Sequence, residues 1–428
     1  MTTPTSDYRV VTERSKAEPL AGLSVIDLSH TIAGGWVSQF LADGGADVLR
    51  IEPPGGSRLR RLAAWPALAR GSRSVTIDLD DPAGRERLLN LVDSADILLS
   101  TFRPATTAKF GLEPPRLLER NPALIAAMIT GWGTRGPWAD LKGYEGMVMA
   151  KTGVFYAKRA MQQRPGPAFV SVPYASWGAA QTALQGILAA LLNREKTGLG
   201  QSVEVDLVRG LFTLDTWDWY QKLVGLRWPE AYEPVEAFSE EGVPASPLIY
   251  PLLAAPTKDG YWLQFAQVQP VLFVALMQEL GLAHLMTDPK WKGLPALESE
   301  ELRLELWEMM IKGVGERTLE EWNAVMANNP DISFELFRTA AGALEHPQML
   351  HDGRQVVGHD AECGPVRQPS TLVHVDEAPL RAPRSAPPGS ASTIRVRCRP
   401  GTTVLRRPPG PTRRRTFRWR ASRCWSSA

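Results

Sequence analysis

Short apolar segments alternate with helical segments through the first 130 residues, and this alternation constrains the fold more than any other feature. Residues 23–28 and 46–51 have the apolar pattern of buried strands, and residues 37–45 between them are helical and stop at glycine. Strand, helix and strand within about 30 residues form a βαβ unit, whose strands lie parallel in one sheet. The same alternation predicts strands at 74–79, 96–99 and 124–130 and a helix at 82–94. The sequence therefore predicts an α/β fold, with a large Rossmann-like domain over residues 19–222.

A long helix follows within this predicted domain. Apolar residues recur at helical spacing over 179–194, and a glycine stop separates them from the alternating, strand-like residues 201–207. Ser176 lies just before the helical pattern, where a serine side chain often satisfies the first free amides, so we predict that it is the N-cap.

The pattern changes beyond residue 217. Residues 261–265 are strand-like, and helical patterns follow at 270–282, 299–314 and 318–328. This predicts a smaller α+β domain over residues 223–330. We assign residues 331–388 to a segment that returns to the large domain.

Charge is distributed unevenly along the chain. Residues 389–428 contain 11 arginines, no lysine and no acid, so the total of +2 divides into +11 there and −9 elsewhere. The mildly acidic body argues against binding to nucleic acid or to an anionic membrane. The arginine runs and proline pairs predict a disordered tail at 389–428, and residues 1–18 form a polar leader.

Several other classes of protein are excluded by the sequence. The longest apolar stretch, residues 178–192, is too short to span a bilayer, and no apolar signal segment occurs near residue 1. The three cysteines are far apart, and the histidines lack ligand spacing, so we predict neither a disulfide framework nor a metal site. These observations favour a soluble, cytoplasmic protein.

A GxGxxG pattern occurs at residues 131–136, directly after a predicted strand. In a dinucleotide site this loop opens a long helix, and an acidic residue about 20 positions later binds the ribose. Here Pro137 and Trp138 follow instead, and no such acid occurs. We therefore interpret the pattern as a glycine-rich loop and predict no nicotinamide or flavin cofactor.

Residues that follow predicted strands should meet at one edge of a parallel sheet. His30, the only histidine in the first 283 residues, is one of them and is a candidate general base, although a structural role fits the sequence at least as well. Six cationic residues also fall in such segments: Arg58, Arg60, Arg61, Arg103, Lys109 and Lys142. If they surround one crevice, it suits a phosphorylated, nucleotide-like ligand; solvated surface charge is the alternative.

A set of longer segments carries a family resemblance. They are PLAGLSVIDLSHTIAGG, LADGGADVLRIEPPGG, SRSVTIDLDDPAGRE, TFRPATTAKFGL, ITGWGTRGPWAD, GILAALLNREKTGLGQSVEVDL, TKDGYW, EHPQML and ECGPVRQP. In this order they resemble the class III CoA-transferases, the group of formyl-CoA and carnitine CoA-transferases, whose relatives include α-methylacyl-CoA racemases. The resemblance covers about residues 19–386. It implies a two-domain transferase that moves CoA between an acyl-CoA thioester and a carboxylic acid, and it implies an intertwined homodimer.

The resemblance also implies where CoA binds as a substrate. By motif position, the CoA-facing residues are Ile77, Asp78, Leu79, Thr101, Phe102, Lys109 and Lys142. The run from Lys142 to Glu145 is similar to the formyl-CoA transferase version, and Tyr144 stands where the racemases have a catalytic histidine. The resemblance therefore disfavours a racemase and makes Tyr144 and Glu145 candidate catalytic residues.

One position departs from the family pattern. The family's nucleophile is an Asp ten residues before the glycine of GILAAL, and Ser176 occupies that position. A carboxylate that attacks a thioester forms a mixed anhydride, which the CoA thiolate and then the acceptor acid can reopen. A serine ester is more stable than the thioester and would trap the acyl group, and the sequence shows no base partner for Ser176.

Three interpretations of this departure stay open. The first is an active transferase that uses another carboxylate, with Glu145 as the substitute. The second is a CoA-binding half whose partner unit carries the Asp, as in family members that fuse two units. The third is a non-enzymatic dimeric scaffold.

The tail suggests a related hypothesis. Family members continue past the proline-rich stretch with a segment like Leu-Gly-Glu-His, whereas this chain has Gly389 to Thr393 there. Reading a GC-rich gene one base out of frame yields Arg, Pro and Ala. We hypothesise that residues from about 389 are a frameshifted end of a longer two-unit protein, which resequencing of the gene would test.

Overall fold

The computed structural model describes residues 18–157, 166–214, 223–231, 237–239, 242–351, 353–360, 364–375 and 378–379. The predicted tail and residues 1–17 of the predicted leader lie outside these ranges. Contacts divide the described residues into two units. The first contains the residues up to 231 and those from 340 onward, and the second contains residues 237–339.

A six-stranded sheet forms the centre of the first unit, and all of its neighbouring strands are parallel. The strands are β1 (Ser24–Asp27), β2 (Asp47–Glu52), β3 (Arg73–Thr76), β4 (Ile97–Ser100), β5 (Ile125–Thr130) and β6 (Ser202–Asp206). Their order is β3-β2-β1-β4-β5-β6, so the chain reverses its direction of winding between β1 and β4. Each of the six predicted strands is present, which confirms the parallel α/β fold.

Helices cover both faces of this sheet. They are α1 (Ile32–Asp43), α2 (Trp65–Leu68), α3 (Pro82–Val92), α4 (Pro104–Phe110), α5 (Pro114–Arg120), α6 (Glu145–Lys151), α7 (Val154–Ala157), α8 (Tyr174–Thr197) and α9 (Leu207–Leu214), with a 3₁₀ turn at Arg58–Arg61. Along β1, Val25 packs into the core that contains α1 and α8, while Ile26 packs into the core that contains α3 and α5. Successive strand side chains point to opposite faces, so a parallel strand must be apolar throughout.

Helix α1 begins at Ile32, five residues earlier than predicted, because Gly34 and Gly35 concealed its first turn. Thr31 caps it through a hydrogen bond from the Gly34 amide. A Cβ at position 34 would overlap the Ser29 side chain, so glycine is required by the close approach of the β1 end to the helix. Glycine costs helix stability, but here it lets α1 pack directly on the strand.

The second unit contains an antiparallel sheet of order β7-β8-β9, with β7 at Ala254–Pro256, β8 at Trp262–Phe265 and β9 at Phe334–Leu336. Three helices pack on it: α10 (Pro270–Glu279), α11 (Glu300–Val314) and α12 (Leu319–Asn328). Its core contains an aromatic cluster in which the Phe265 ring contacts those of Trp322 and Phe334, with ring centroids 5.3 and 5.6 Å away. The Trp322 indole donates to the Val314 carbonyl, which satisfies its one polar atom.

After β9 the chain returns to the first unit. This part contains α13 (Ala340–Leu344), α14 (Pro347–His351), the hairpin β10 (Gln355–Asp360) and β11 (Gly364–Pro369), and the short pair β12 (His374–Val375) and β13 (Ala378–Pro379). The buried Arg70 guanidinium pairs with Asp43 and donates to the carbonyls of Pro369 and Ser370, 2.6 and 3.0 Å away. These hydrogen bonds hold the end of β11 against the rest of the first unit.

Candidate functional site

The loops after β1 and β4 meet at the carboxyl edge of the parallel sheet. The His30 amide donates to Thr101 Oγ at 3.1 Å, and the His30 ring lies 5.2 Å from the Phe102 ring. The strand order reverses here, and in open α/β sheets ligands bind at this switch point. His30, Thr101 and Phe102, which the sequence placed at a common edge, are therefore brought together.

The His30 imidazole has a lowered pKa and is a weaker base than a free histidine side chain. Part of the residue is exposed, but the surrounding protein removes water from the ring. This desolvation is the main reason that the pKa lies below its usual value near 6.5. The Leu28 carbonyl 3.4 Å from Nδ1 opposes the shift, while the nearby positive charge of Arg58 lowers the pKa further. The ring is neutral at neutral pH and can accept or donate one hydrogen bond.

The loop after β3 joins the same edge through helix α4. Lys109 forms an ion pair with Asp80, and the neighbouring Phe110 ring lies 5.8 Å from Phe102. Of the three residues proposed for CoA in this loop, Ile77 is buried, Asp78 is exposed and Leu79 is half-buried. The segments 77–79, 101–102 and 109 are thus connected by contacts.

The backbone of Lys142 lies at this edge of the sheet. Its carbonyl accepts from the Trp132 indole at 3.4 Å, and its side chain is exposed. The glycine-rich loop packs there without a helix opening at residue 136: the backbones of Gly131 and Gly143 lie so close that a Cβ on either would overlap the other. This approach fixes Tyr144 and Glu145 at the start of α6, directly beside the end of β5.

The prediction that six cations surround one crevice is wrong for some of them. Arg60 pairs with the buried Glu52 and stacks on Trp65, with its guanidinium carbon 4.6 Å from the ring centroid. Arg103 donates to the Asp140 carbonyl at 2.7 Å. Arg58 and Arg61 are exposed. Arg60 therefore supports the fold, because Glu52 neutralises its charge, whereas the Arg103 guanidinium is held by a neutral carbonyl.

Glu145 and Ser176 are hydrogen-bonded to each other at this edge. Ser176 Oγ donates to Glu145 Oε2 at 2.6 Å, and the Ser176 amide donates to the same oxygen at 2.9 Å. The Ala175 amide donates to Glu145 Oε1 at 2.8 Å. Glu145 is half-buried, and only 5% of Ser176 is exposed. The carboxylate therefore lies on the amino end of α8, where free amides and the helix dipole favour negative charge.

The predicted N-cap role of Ser176 is wrong. Helix α8 begins at Tyr174, so Ser176 lies in its first turn, and the flanking Pro173 offers no side-chain cap. The carboxylate of Glu145, from another helix, takes the capping role instead. The statement that Ser176 lacks a base partner is wrong as well. Residues 145 and 176 are 31 positions apart, so no local pattern signals this contact.

Tyr144 is placed differently from its neighbour. It precedes α6 with 57% of its surface exposed, and its carbonyl accepts helical hydrogen bonds from Met147 and Val148. The Trp36 and Trp177 rings meet edge to face at 4.7 Å, which joins the first turns of α1 and α8. The helix that follows His30 therefore packs against the helix that contains Ser176.

Within the described residues, no group of three or more His, Cys, Asp or Glu side chains is arranged to hold a metal ion. No helix in that part of the chain is both long and apolar enough to cross a bilayer.

Residues 20–392 match the sequence model of CoA-transferase family III, and the chain belongs to this family. It is 29% identical over 371 residues to a succinyl-CoA–D-citramalate CoA-transferase of Chloroflexus aurantiacus, covering 84% of this chain and 89% of that protein. Over 355 residues it is 28% identical to the α-methylacyl-CoA racemase of Homo sapiens, covering 82% and 86%. The family resemblance drawn from the motifs is thereby confirmed.

Two further matches bear on the architecture. The α subunit of a succinyl-CoA–L-malate CoA-transferase from Chloroflexus aurantiacus is 35% identical over 210 residues, which are 46% of this chain and 48% of that subunit. A crystal structure of a CAIB/BAIF family protein from Brucella suis has a TM-score of 0.72 and 25% identity, covering 86% of this chain and 96% of that one. The fold described above is therefore the fold of this family.

Proposed function

We propose that this chain binds an acyl-CoA thioester at the carboxyl edge of the sheet and transfers CoA to a carboxylic acid. The observation that carries the proposal is the Glu145 carboxylate, bound to Ser176 at the start of α8. This is where the family resemblance puts the acyl-accepting carboxylate. Family membership and the CoA-transferases among the relatives support the reaction class.

The chemistry requires a carboxylate at this place. A carboxylate oxygen attacks the thioester carbonyl, the C–S bond breaks, and CoA leaves as its thiolate with a mixed anhydride left on the protein. The thiolate then attacks the protein's own carbonyl of the anhydride, which releases the acyl group as its free acid. The acceptor carboxylate attacks the resulting protein thioester, the C–S bond breaks, and a second mixed anhydride forms. The thiolate then attacks the acceptor's carbonyl of this anhydride, which forms the new acyl-CoA and returns the protein carboxylate. Glu145 is the carboxylate of the pair, and Ser176 would donate a hydrogen bond to it.

The CoA-binding roles follow from the contacts at this edge. We propose that Ile77, Asp78 and Leu79 line one side of the CoA site and that Thr101 and Phe102 line the other. Lys109 and Lys142 would supply positive charge to the phosphates, which requires Lys109 to exchange Asp80 for the ligand. Tyr144, exposed beside Glu145, would contact the acyl group.

A second candidate function is that of a CoA-binding half of a two-unit transferase. It is favoured by the hydrogen bonds that both Glu145 oxygens accept from α8, because a carboxylate held by three donors is a weakened nucleophile. One relative is itself named as an α subunit. In this case a partner unit would carry the reacting Asp. A non-enzymatic scaffold is the third possibility.

We also propose that the chain forms a cytoplasmic homodimer. Large apolar side chains of the first unit are exposed in the isolated chain, among them Phe169 at 77%, Leu226 at 72% and Trp228 at 54%. Apolar exposure on this scale is common where a second chain packs. Light scattering of the purified chain would report its mass.

Exchange of CoA between labelled succinyl-CoA and a panel of carboxylic acids tests the transferase proposal. With Glu145 as nucleophile, Glu145→Gln abolishes exchange, and Ser176→Ala retains it. Ser176→Asp restores the family's carboxylate and should raise exchange by about 100-fold, the scale of one well-placed catalytic group. Exchange that appears only in Ser176→Asp supports the CoA-binding half. A wild-type chain that binds no CoA supports the scaffold.

A further inference from the structure

The hydrogen bond between Ser176 and Glu145 has the geometry of a nucleophile and its general base. Ser176 Oγ donates to Glu145 Oε2 at 2.6 Å, within the range over which a carboxylate activates a hydroxyl. The Ser176 amide donates to the same oxygen at 2.9 Å, so the backbone and the side chain of one residue both hold the carboxylate. The hydroxyl proton is therefore already directed at the group that would accept it.

The first turn of α8, which contains Ser176, is held in place by its packing on α9. A Cβ at Gly178 would overlap the Gly210 carbonyl, and a Cβ at Gly210 would overlap the backbone of Ala179. The two helices therefore touch backbone to backbone two residues beyond Ser176. The hydroxyl also lies at the amino end of a helix of 24 residues, where the helix dipole favours negative charge that develops on an attacking oxygen.

A second hydroxyl–carboxylate pair of the first unit differs in its charges. Thr134 Oγ1 donates to Glu204 Oε2 at the same distance of 2.6 Å, but the Arg209 guanidinium lies 3.5 Å from Glu204. A neighbouring cation stabilises the ionised carboxylate and makes it a weaker base. Within the described ranges no cation pairs with Glu145, so this carboxylate can accept the serine proton.

The donors around Glu145 favour the role of a base over that of a nucleophile. Oε1 accepts from the Ala175 amide, and Oε2 accepts from the Ser176 amide and hydroxyl. To attack a thioester, a Glu145 oxygen has to leave these donors and turn toward the substrate. To act as a base, it only accepts the proton along a hydrogen bond that already exists. The serine ester that then forms can be opened by water, with the same carboxylate as the base.

We propose that Ser176 and Glu145 hydrolyse acyl-CoA thioesters to CoA and a carboxylic acid, as an activity in addition to CoA transfer. Ser176 Oγ passes its proton to Glu145 and attacks the thioester carbonyl, the C–S bond breaks, and the thiolate takes that proton and leaves as CoA. Glu145 then takes a proton from water, and the resulting hydroxide attacks the serine ester. The ester C–O bond breaks, the acid leaves, and the proton returns from Glu145 to Ser176 Oγ. The inference rests on the proposed binding of acyl-CoA and adds water as an acceptor of the acyl group.

Release of CoA thiol in the absence of any acceptor acid tests the proposal. The full chain is incubated with acetyl-CoA, butyryl-CoA, succinyl-CoA and benzoyl-CoA, and free thiol is followed with a thiol-reactive dye against a reaction without protein. At least one thioester should be hydrolysed over many turnovers. Ser176→Ala and Glu145→Gln should each lower the rate by about 100-fold or more, the scale of one well-placed catalytic group. Ser176→Ala should bind the unreactive thioether S-butyl-CoA with the Kd of the wild type, which shows that the variant is folded.

Thr134→Val is the matched control, because it removes a hydroxyl at the same distance from a carboxylate. It should leave hydrolysis unchanged. Hydrolysis that persists in Ser176→Ala would overturn the proposal and assign the reaction to water that attacks an anhydride on Glu145. Release of a single equivalent of CoA would also overturn it, because the serine ester would then trap the acyl group.

Binding and exchange separate this inference from the proposed function. A wild-type chain that does not bind S-butyl-CoA would overturn both. A chain that binds S-butyl-CoA and exchanges CoA with acids, but hydrolyses none of the four thioesters, would overturn the inference alone. Hydrolysis that depends on Ser176 in a chain that shows no exchange would support the inference and overturn the proposed transfer.

Discussion

Glu52 and Glu145 lie at the same edge of the sheet with both oxygens hydrogen-bonded, but their partners differ. Glu52 is buried and accepts from the Arg60 guanidinium, the Ser57 amide and the Ser74 hydroxyl. Glu145 is half-buried, and the donors to it within the described part of the chain are the uncharged groups of Ala175 and Ser176. A cation neutralises the first carboxylate, whereas the second keeps its charge against a helix terminus. Glu52 therefore supports the fold, while the Glu145 carboxylate, without a paired cation among the described residues, has what its proposed reaction with a thioester requires.

The largest effect on stability is expected from Glu52→Ala. It leaves the Arg60 guanidinium, whose side chain is 12% exposed, without its partner and should lower the free energy of unfolding by about 3 kcal/mol. Urea unfolding followed by circular dichroism measures the change. Asp47→Ala is the matched control, because its ion pair with Arg73 is 60% and 64% exposed and contributes less than about 1 kcal/mol. Equal losses in the two variants would contradict a structural role for the buried pair.

A smaller loss is expected from Glu145→Ala. The buried amides of Ala175 and Ser176 lose their acceptor, so the cost is that of a removed cap at the upper end of its range, about 2 kcal/mol. Glu145→Gln keeps one acceptor oxygen and should recover part of it. If Glu145→Ala lowers the free energy of unfolding by as much as Glu52→Ala or more, the different hydrogen-bond partners of the two carboxylates do not give them different structural roles.

The smallest expected effect is a pH dependence of stability that comes from Glu52. Burial raises the pKa of Glu52, but hydrogen bonds from Arg60, Ser74 and Ser57 outweigh it, so its pKa lies below 4.5 in the folded chain. Its contribution to stability is therefore complete above about pH 4.5 and is lost as the pH falls through the folded pKa. The difference in unfolding free energy between wild type and Glu52→Gln should shrink between pH 6 and pH 3. A difference that grows on acidification would reverse the assignment.

Much of the fold could be predicted because its signals are local. Strands such as Ile97–Ser100 are apolar throughout since both faces of a parallel sheet are covered, and βαβ connections leave few possible topologies. The predicted start of α1 is too late because Gly34 weakens the helical pattern. Glycine is needed at this position because the Ser29 side chain packs against it, and that contact is not visible in the local sequence. Propensity describes a residue within its own segment and carries no information on what packs against it.

The candidate site divides in the same way. Its location follows from parallel topology, which gathers His30, Thr101 and Phe102 at one edge from segments some 70 residues apart. Which charges remain free was not predictable. Arg58, Arg60 and Arg61 look equivalent in the sequence, yet only Arg60 folds onto Glu52 and Trp65. Pairing of long side chains depends on the position of every neighbour within a few ångströms, which a linear pattern does not encode.

Motif order and apolar periodicity are local and additive, so the family, the parallel α/β sheet and the replacement at position 176 could be identified from the amino-acid sequence alone. The consequence of that replacement depends on contacts between distant segments. The tertiary structure put Ser176 inside the first turn of α8 and supplied Glu145 from 31 residues away as the cap that the serine was expected to be. A helix terminus must find acceptors for its free amides, and the fold as a whole selects which side chain meets that need.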